Sequence, residues 1–159
     1  MPANWVYWSP LCAAGLHIFE EFVFPGGFMD WYRKTRPTIQ ASITPRFLVV
    51  VNVLLIILCY DVAAMAGRPF GTMLWFLVAA LLFANGIWHL VATIRTRSYS
   101  PGLVTGLALY VPMAIYGAVQ LIRSGQISIG RALPAAAIGA SYQLWSNLLH
   151  RRRARQARS

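Results

Sequence analysis

The sequence predicts an all-α integral membrane bundle of five transmembrane helices, with the N-terminus outside and the C-terminus cytoplasmic. Three observations carry this. Five stretches (5–24, 47–66, 72–94, 103–122 and 132–149) are apolar and near the roughly 20 helical residues that cross a hydrocarbon core. Charged residues make up 11% of the chain and hydrophobic ones 58%, where a soluble domain carries about 25% charged. The cations are also distributed by side. With the N-terminus outside, Arg33, Lys34, Arg36, Arg46, Arg95, Arg97, Arg151, Arg152, Arg153, Arg155 and Arg158 are cytoplasmic, and only Arg68, Arg123 and Arg131 are not. That is a positive-inside pattern, and it agrees with an odd number of spans.

The first stretch opens on Trp5 and Trp8, placed as interfacial aromatics, and stops at Pro25-Gly26-Gly27. It does not read as a cleavable leader: no basic segment precedes it, and it contains Glu20 and Glu21. The first loop carries Trp31 and Tyr32 at the opposite interface. Breakers at Gly67-Arg68-Pro69, Ser100-Pro101-Gly102 and Ser124-Gly125 separate the remaining spans. Gly102 with Gly106, and Ala135 with Gly139, are small residues four apart, a spacing that lets helix backbones approach closely. Cys12 and Cys59 fall in apolar runs and read as small buried hydrophobes. Residues 1–149 form the membrane domain and 150–159 a basic cytoplasmic tail, with His150 solvated beside the arginines. The net charge of +10 fits anionic lipid rather than nucleic acid, because no aromatic–basic module accompanies it.

Function concentrates in His17-Ile18-Phe19-Glu20-Glu21. Two of the four acidic residues stand together in an otherwise apolar span, where an ionisable group costs about 2.5–3.5 kcal/mol on insertion scales and marks a functional site. His17, Glu20 and Glu21 have the i, i+3, i+4 spacing of one helix face, as Asn85 and His89 have i, i+4 on the third span. Counting about 1.5 Å per residue from the loops brings His17–Glu21, Asn52, Asn85, His89, Tyr142 and Gln143 to one inner-leaflet level. Two imidazoles and two carboxylates suit one divalent metal, zinc or iron, held by His17, His89, Glu20 and Glu21. A di-iron carboxylate centre needs more acids than Asp30 and Asp61 add. Asn52, Asn85, Tyr142 and Gln143 are the expected supporting groups.

Three motifs stand in order: H-x-x-E-E at residues 17–21, the second histidine in Asn85-Gly86-Ile87-Trp88-His89, and Y-x-P-G in Tyr99-Ser100-Pro101-Gly102. Together they resemble the family of small bacterial membrane proteins named for the HXXEE motif, over roughly the first 120 residues. The resemblance implies a multi-pass protein of the bacterial inner membrane, with His17, Glu20, Glu21, His89 and Tyr99 as signature residues. It supplies no activity.

The reading that follows is a metal-dependent membrane enzyme acting on a lipid or isoprenoid-like substrate. The glutamate not bound to metal acts as general base, and Tyr99 is a lid or proton donor, or else an interfacial anchor. The alternatives are a metal-free acid–base enzyme that passes a proton between Glu and His, a non-enzymatic metal- or proton-binding or transport protein, and a hydrogen-bonded pair that only joins two helices.

Overall fold

The structure is a computed structural model that describes residues 4–156. It is all-helical over those residues: α1 (Trp5–Phe22), α2 (Phe28–Thr35), a 3-10 turn (Gln40–Ser42), α3 (Pro45–Ala64), α4 (Pro69–Thr96), α5 (Leu103–Arg123) and α6 (Ile129–Gln156). Three helices are long and apolar enough to cross a membrane, namely α3, α4 and α5. The outer face of α3 shows what they meet: Val49, Val53, Leu54 and Ile57 are all at least half exposed. α1 and α6 are long but more polar, the first through its His/Glu cluster and the second through its arginine-rich end.

The ends follow local chemistry. Thr44 caps α3 by accepting from the Phe47 N–H at 3.2 Å, with Pro45 in the first turn where its missing N–H costs nothing. Pro69 opens α4 in the same way. At the other end of α4, Arg97 takes a left-handed φ of 50° and turns the chain toward Tyr99–Gly102. Gly102, at φ 100°, then starts α5.

α4 is the axis of the bundle and touches every other long helix. Its 28 residues span about 42 Å at about 1.5 Å per residue. Glycines set how near its neighbours come. A Cβ built on Gly86 falls 2.6 Å from the Gly106 carbonyl oxygen, so α4 and α5 cross backbone on backbone. Gly139 of α6 lies against the Leu77 carbonyl, and Gly117 of α5 lies under the Trp75 indole. At the end far from the His/Glu cluster, Trp75 donates to the Val6 carbonyl at 2.8 Å, and Tyr7 shares a 2.8 Å hydrogen bond with Thr72. These contacts seat α1 on α4.

The first loop differs from expectation. It folds into α2 and the 3-10 turn, which turn back beneath the bundle. Gly26 and Gly27, both at positive φ, reverse the chain after α1. Phe28 and Tyr32, one helical turn apart, are then buried with Ile39, Ile43 and Ala154. Tyr32 is therefore a core residue and not an interfacial anchor. His150 is also buried, its Nδ1 2.8 Å from the Ser42 hydroxyl, where a solvated residue was expected. α6 runs unbroken across the boundary at 149/150, because α2 and the 3-10 turn give its last turns something to pack on. Cys59 is buried, whereas Cys12 is exposed on α1.

Gly106→Ala is expected to break the α4–α5 crossing, since its Cβ would meet the Gly86 Cα at 2.9 Å. Gly15→Ala, with open space around it, is expected to leave stability unchanged or slightly raised. Thermal midpoints and the monodisperse fraction of the two detergent-purified variants check this.

Candidate metal centre

Residues 17, 20 and 21 share a helix face only loosely, since consecutive positions on an α-helix point about 100° apart. That angle sends the two glutamates to different places. Glu21 turns toward the imidazoles and Glu20 toward the start of α5.

Glu20 is enclosed by donors. One carboxylate oxygen accepts the Gly102 N–H at 3.0 Å, the Val104 N–H at 3.1 Å and the Tyr99 hydroxyl. The other accepts the Thr105 N–H at 2.6 Å and the Thr105 hydroxyl at 2.5 Å. The first backbone N–H groups of a helix have no partner within it and carry its positive end. Glu20 supplies that partner from another helix. It was expected as a metal ligand or general base, and the structure instead spends both its oxygens on α5. Tyr99 is likewise tied to Glu20, and burial, followed by the carboxylate beside it, pushes its hydroxyl up to about 12.

The metal-ligating atoms that do converge belong to His17, Glu21 and His89, all buried, with one atom from each lying within 4.8 Å of the others. Glu21 Oε1 is 3.5 Å from His17 Nε2 and 3.3 Å from His89 Nε2. The rings meet edge to face with centroids 5.0 Å apart, so α1 and α4 do join at this point. Gly102 lies directly over both rings. A Cβ there would fall 2.7 Å from His89 Cε1 and 2.8 Å from His17 Cε1. At that position the close approach and the positive φ each require glycine.

Both rings are held from behind. His17 Nδ1 is 2.9 Å from the Thr105 hydroxyl, and His89 Nδ1 is 2.9 Å from the Ser100 hydroxyl. For His17 the direction of the hydrogen bond can be derived. Thr105 gives its only hydroxyl proton to the acceptor-only Glu20 carboxylate, so it must accept from His17 Nδ1–H. In the neutral ring its Nε2 then carries the lone pair. Neither Nε2 has a hydrogen-bond partner, and both point at the same carboxylate oxygen. A divalent cation placed between the two Nε2 atoms and this carboxylate oxygen would satisfy all three. The two imidazole–carboxylate distances are close to the separation of about 3.3 Å between ligands of a tetrahedral ion held at about 2.0–2.1 Å. Charge-assisted hydrogen bonds would instead close to about 2.7–2.9 Å. Two imidazoles and one carboxylate, with a further side open, match the donor set of catalytic zinc.

Asn52, Asn85 and Tyr142 reach the same level from α3, α4 and α6, but no hydrogen bond joins them to the cluster. With His17, Glu21 and Tyr110 they line a cavity of about 350 Å³. Gln143 lines a smaller adjoining one with Glu21, Asn52 and Asn85. Sequence reasoning missed Ser100 and Thr105, which orient the rings, and Tyr110. The Tyr110 ring lies 4.6 Å from that of His17, and its buried hydroxyl has no partner, nor does Asn85 Oδ1. The visible signal for the hydroxyl pair is that each flanks Gly102 at the start of an apolar span. Tyr110 sits in a π-helical turn, Gly106–Tyr110, that composition does not reveal.

A family model described as "Protein of unknown function with HXXEE motif" matches residues 8–117. The chain belongs to this HXXEE family. Its motif residues are the ones described above: the histidine and second glutamate face the cluster, and the first glutamate clamps α5. No curated protein and no solved structure matches the chain.

Two predictions separate these roles. Glu20→Ala, which strands three backbone N–H groups and two hydroxyls, is expected to cost about 3 kcal/mol or more in stability. Glu21→Ala, which strands no close donor, is expected to cost far less, and detergent unfolding curves compare the two. His150 gives a pH signature. Burial first, then Arg153 and Arg36, push its imidazole down to about 4, while the unfolded chain titrates near the ordinary value of about 6.5. Between those values the unfolded state binds more protons. Stability is therefore expected to fall as pH drops from about 6.5 to 4, by less in His150→Gln.

Proposed function

We propose that this protein is a five-span membrane enzyme, with its N-terminus outside and its C-terminus in the cytoplasm. Its single divalent cation is held by His17, Glu21 and His89, and it acts on a lipophilic substrate of the bacterial inner membrane. α1 and α6 complete the bundle around the three apolar helices. Their polar residues face inward onto the cluster and its cavities, which offsets the cost of carrying them through hydrocarbon. The distribution of cations supports the orientation.

One observation carries the metal reading: two buried Nε2 atoms without hydrogen-bond partners aim at one carboxylate oxygen. Zinc or iron are the ions this donor set favours. A bound cation supplies Lewis-acid polarisation of a substrate oxygen. The chain's own groups do the rest. Thr105 and Ser100 fix the rings, and Gly102 lets the backbone cover them. The unpartnered Tyr110 hydroxyl and Asn85 carbonyl line the cavity beside them and can orient a substrate oxygen. The cavity walls are otherwise leucines from α3 and α4, and its rim residue Leu54 is 59% exposed on the apolar face of α3. That geometry favours lateral entry from the bilayer.

Protein purified in detergent without chelators is expected to hold about one zinc or iron per chain, measured by elemental analysis. His17→Ala, His89→Ala and Glu21→Gln are each expected to lose it. Thr105→Val, which removes the hydroxyl behind His17, is expected to weaken zinc affinity about 10–100-fold without removing a ligand. Metal-free wild-type protein, or full loading in His89→Ala, would overturn the reading in favour of acid–base or purely structural roles.

A further inference from the structure

Two cavities share Glu21, Val51, Asn52, Asn85 and Tyr142 in their linings; one is mainly apolar, and the other mixes aromatic and aliphatic side chains with polar and basic ones. The larger, about 350 Å³, runs toward Leu55, Leu58 and Leu81 and falls in the roughly 300–1,000 Å³ range of small-molecule sites. The smaller, about 100 Å³, runs the other way toward the floor made by α2 and is lined by Arg36, Gln143, Asn147 and His150.

Arg36 is the decisive residue. Its guanidinium lies 5.4 Å from the Tyr32 ring centroid and 5.5 Å from that of Trp88. It donates to Asn147 Oδ1 at 3.1 Å and to the Tyr32 hydroxyl at 3.4 Å. Among the described residues no carboxylate lies within salt-bridge distance of it; Glu21 lies instead 3.5 Å and 3.3 Å from the two imidazoles. A guanidinium has five N–H donors in a fixed fork suited to carboxylate or phosphate. Here two are engaged, aromatic faces hold the plane, and the remaining donors belong to a side chain lining the smaller cavity. This is a half-buried cation without a counter-ion, joined through Glu21 to an apolar cavity.

We propose that the joined cavities bind one single-chain amphiphile with an anionic head, carboxylate or phosphate. Its head lies against Arg36 and its chain among the leucines of α3 and α4, which carries its head-proximal atoms past Glu21 and His17. Its role as substrate rests on the metal reading, and a cation at the cluster would offset the repulsion between Glu21 and the head. Such an amphiphile is then the substrate class for that site.

The test uses full-length protein in phosphatidylcholine nanodiscs, with binding of radiolabelled dodecanoate at pH 8 corrected for protein-free discs. Dodecanoate and dodecyl phosphate are expected to compete at least 10-fold better than dodecanol, and inorganic phosphate is expected not to compete. Arg36→Gln is expected to abolish the preference for the charged heads, Arg36→Lys to keep part of it, and Leu55→Trp to weaken all three chains about equally. Equal competition by dodecanol, competition by phosphate alone, or an undiminished preference in Arg36→Gln would overturn the proposal. The wild-type comparison stands even if a variant fails to fold. Zinc and iron measured on the same samples separate the two readings: loss of discrimination with one zinc or iron bound sinks the amphiphile alone. Discrimination with neither metal bound upholds amphiphile binding and sinks the metal.

Discussion

A buried carboxylate must be satisfied or the fold around it fails, and Glu20 is satisfied entirely by one end of one helix. Its partners are the amides of Gly102, Val104 and Thr105 and the hydroxyls of Thr105 and Tyr99. The helix gains an acceptor for amides that have none of their own, and the carboxylate gains the positive end of the helix dipole. Each side solves the other's problem in a place where water cannot. Because Glu20 is on α1 and the amides are on α5, this one interaction also fixes where the connection from α4 to α5 must run.

That connection is the back wall of the site. Once Tyr99 and Gly102 are drawn onto Glu20, Ser100 between them comes to His89 Nδ1, and Gly102 comes over both rings. Thr105, one turn into α5, reaches His17 while giving its proton to Glu20. The line Glu20–Thr105–His17 therefore holds a proton on Nδ1, so that the neutral ring presents its far nitrogen as an acceptor. A residue that touches no cation sets the tautomer of one that can. The adjacent glutamates thus divide the work by direction alone. One is spent on architecture so that the other can remain open to chemistry.

Much of this was legible in the chain. Helix ends at Pro25-Gly26, Gly67-Pro69 and Ser100-Gly102 follow from residues that cannot continue a helix. The i, i+4 spacing of His17 and Glu21, and the matched depth of His89, located the cluster before any coordinates. Periodicity could not tell Glu20 from Glu21, since positions i+3 and i+4 both lie near the face of residue i. The choice between them depends on where α5 begins, which is a tertiary fact. The floor formed by α2 was hidden for a related reason. Tyr32 looks like an interfacial aromatic until His150 and Ala154, over a hundred residues away in sequence, provide a surface for it and Phe28 to pack on.

Tyr110 shows why the remainder stayed out of reach. In a regular α-helix from Leu103 its side chain would be set by steps of about 100° from Gly106, which is pinned against Gly86. The π-turn at Gly106–Tyr110 adds a residue to that turn and changes the angle. The ring is thereby brought to His17, with its hydroxyl unpartnered at the cavity. A widened turn weakens the helix locally, so its position beside a crossing that tolerates no Cβ is informative. The glycine contact holds the backbone while the turn re-aims the side chain, and the two together place a hydrogen-bonding group where an otherwise leucine-lined cavity meets the His/Glu cluster. Neither feature has a signature in composition or hydropathy. They arise only when two helices are already packed.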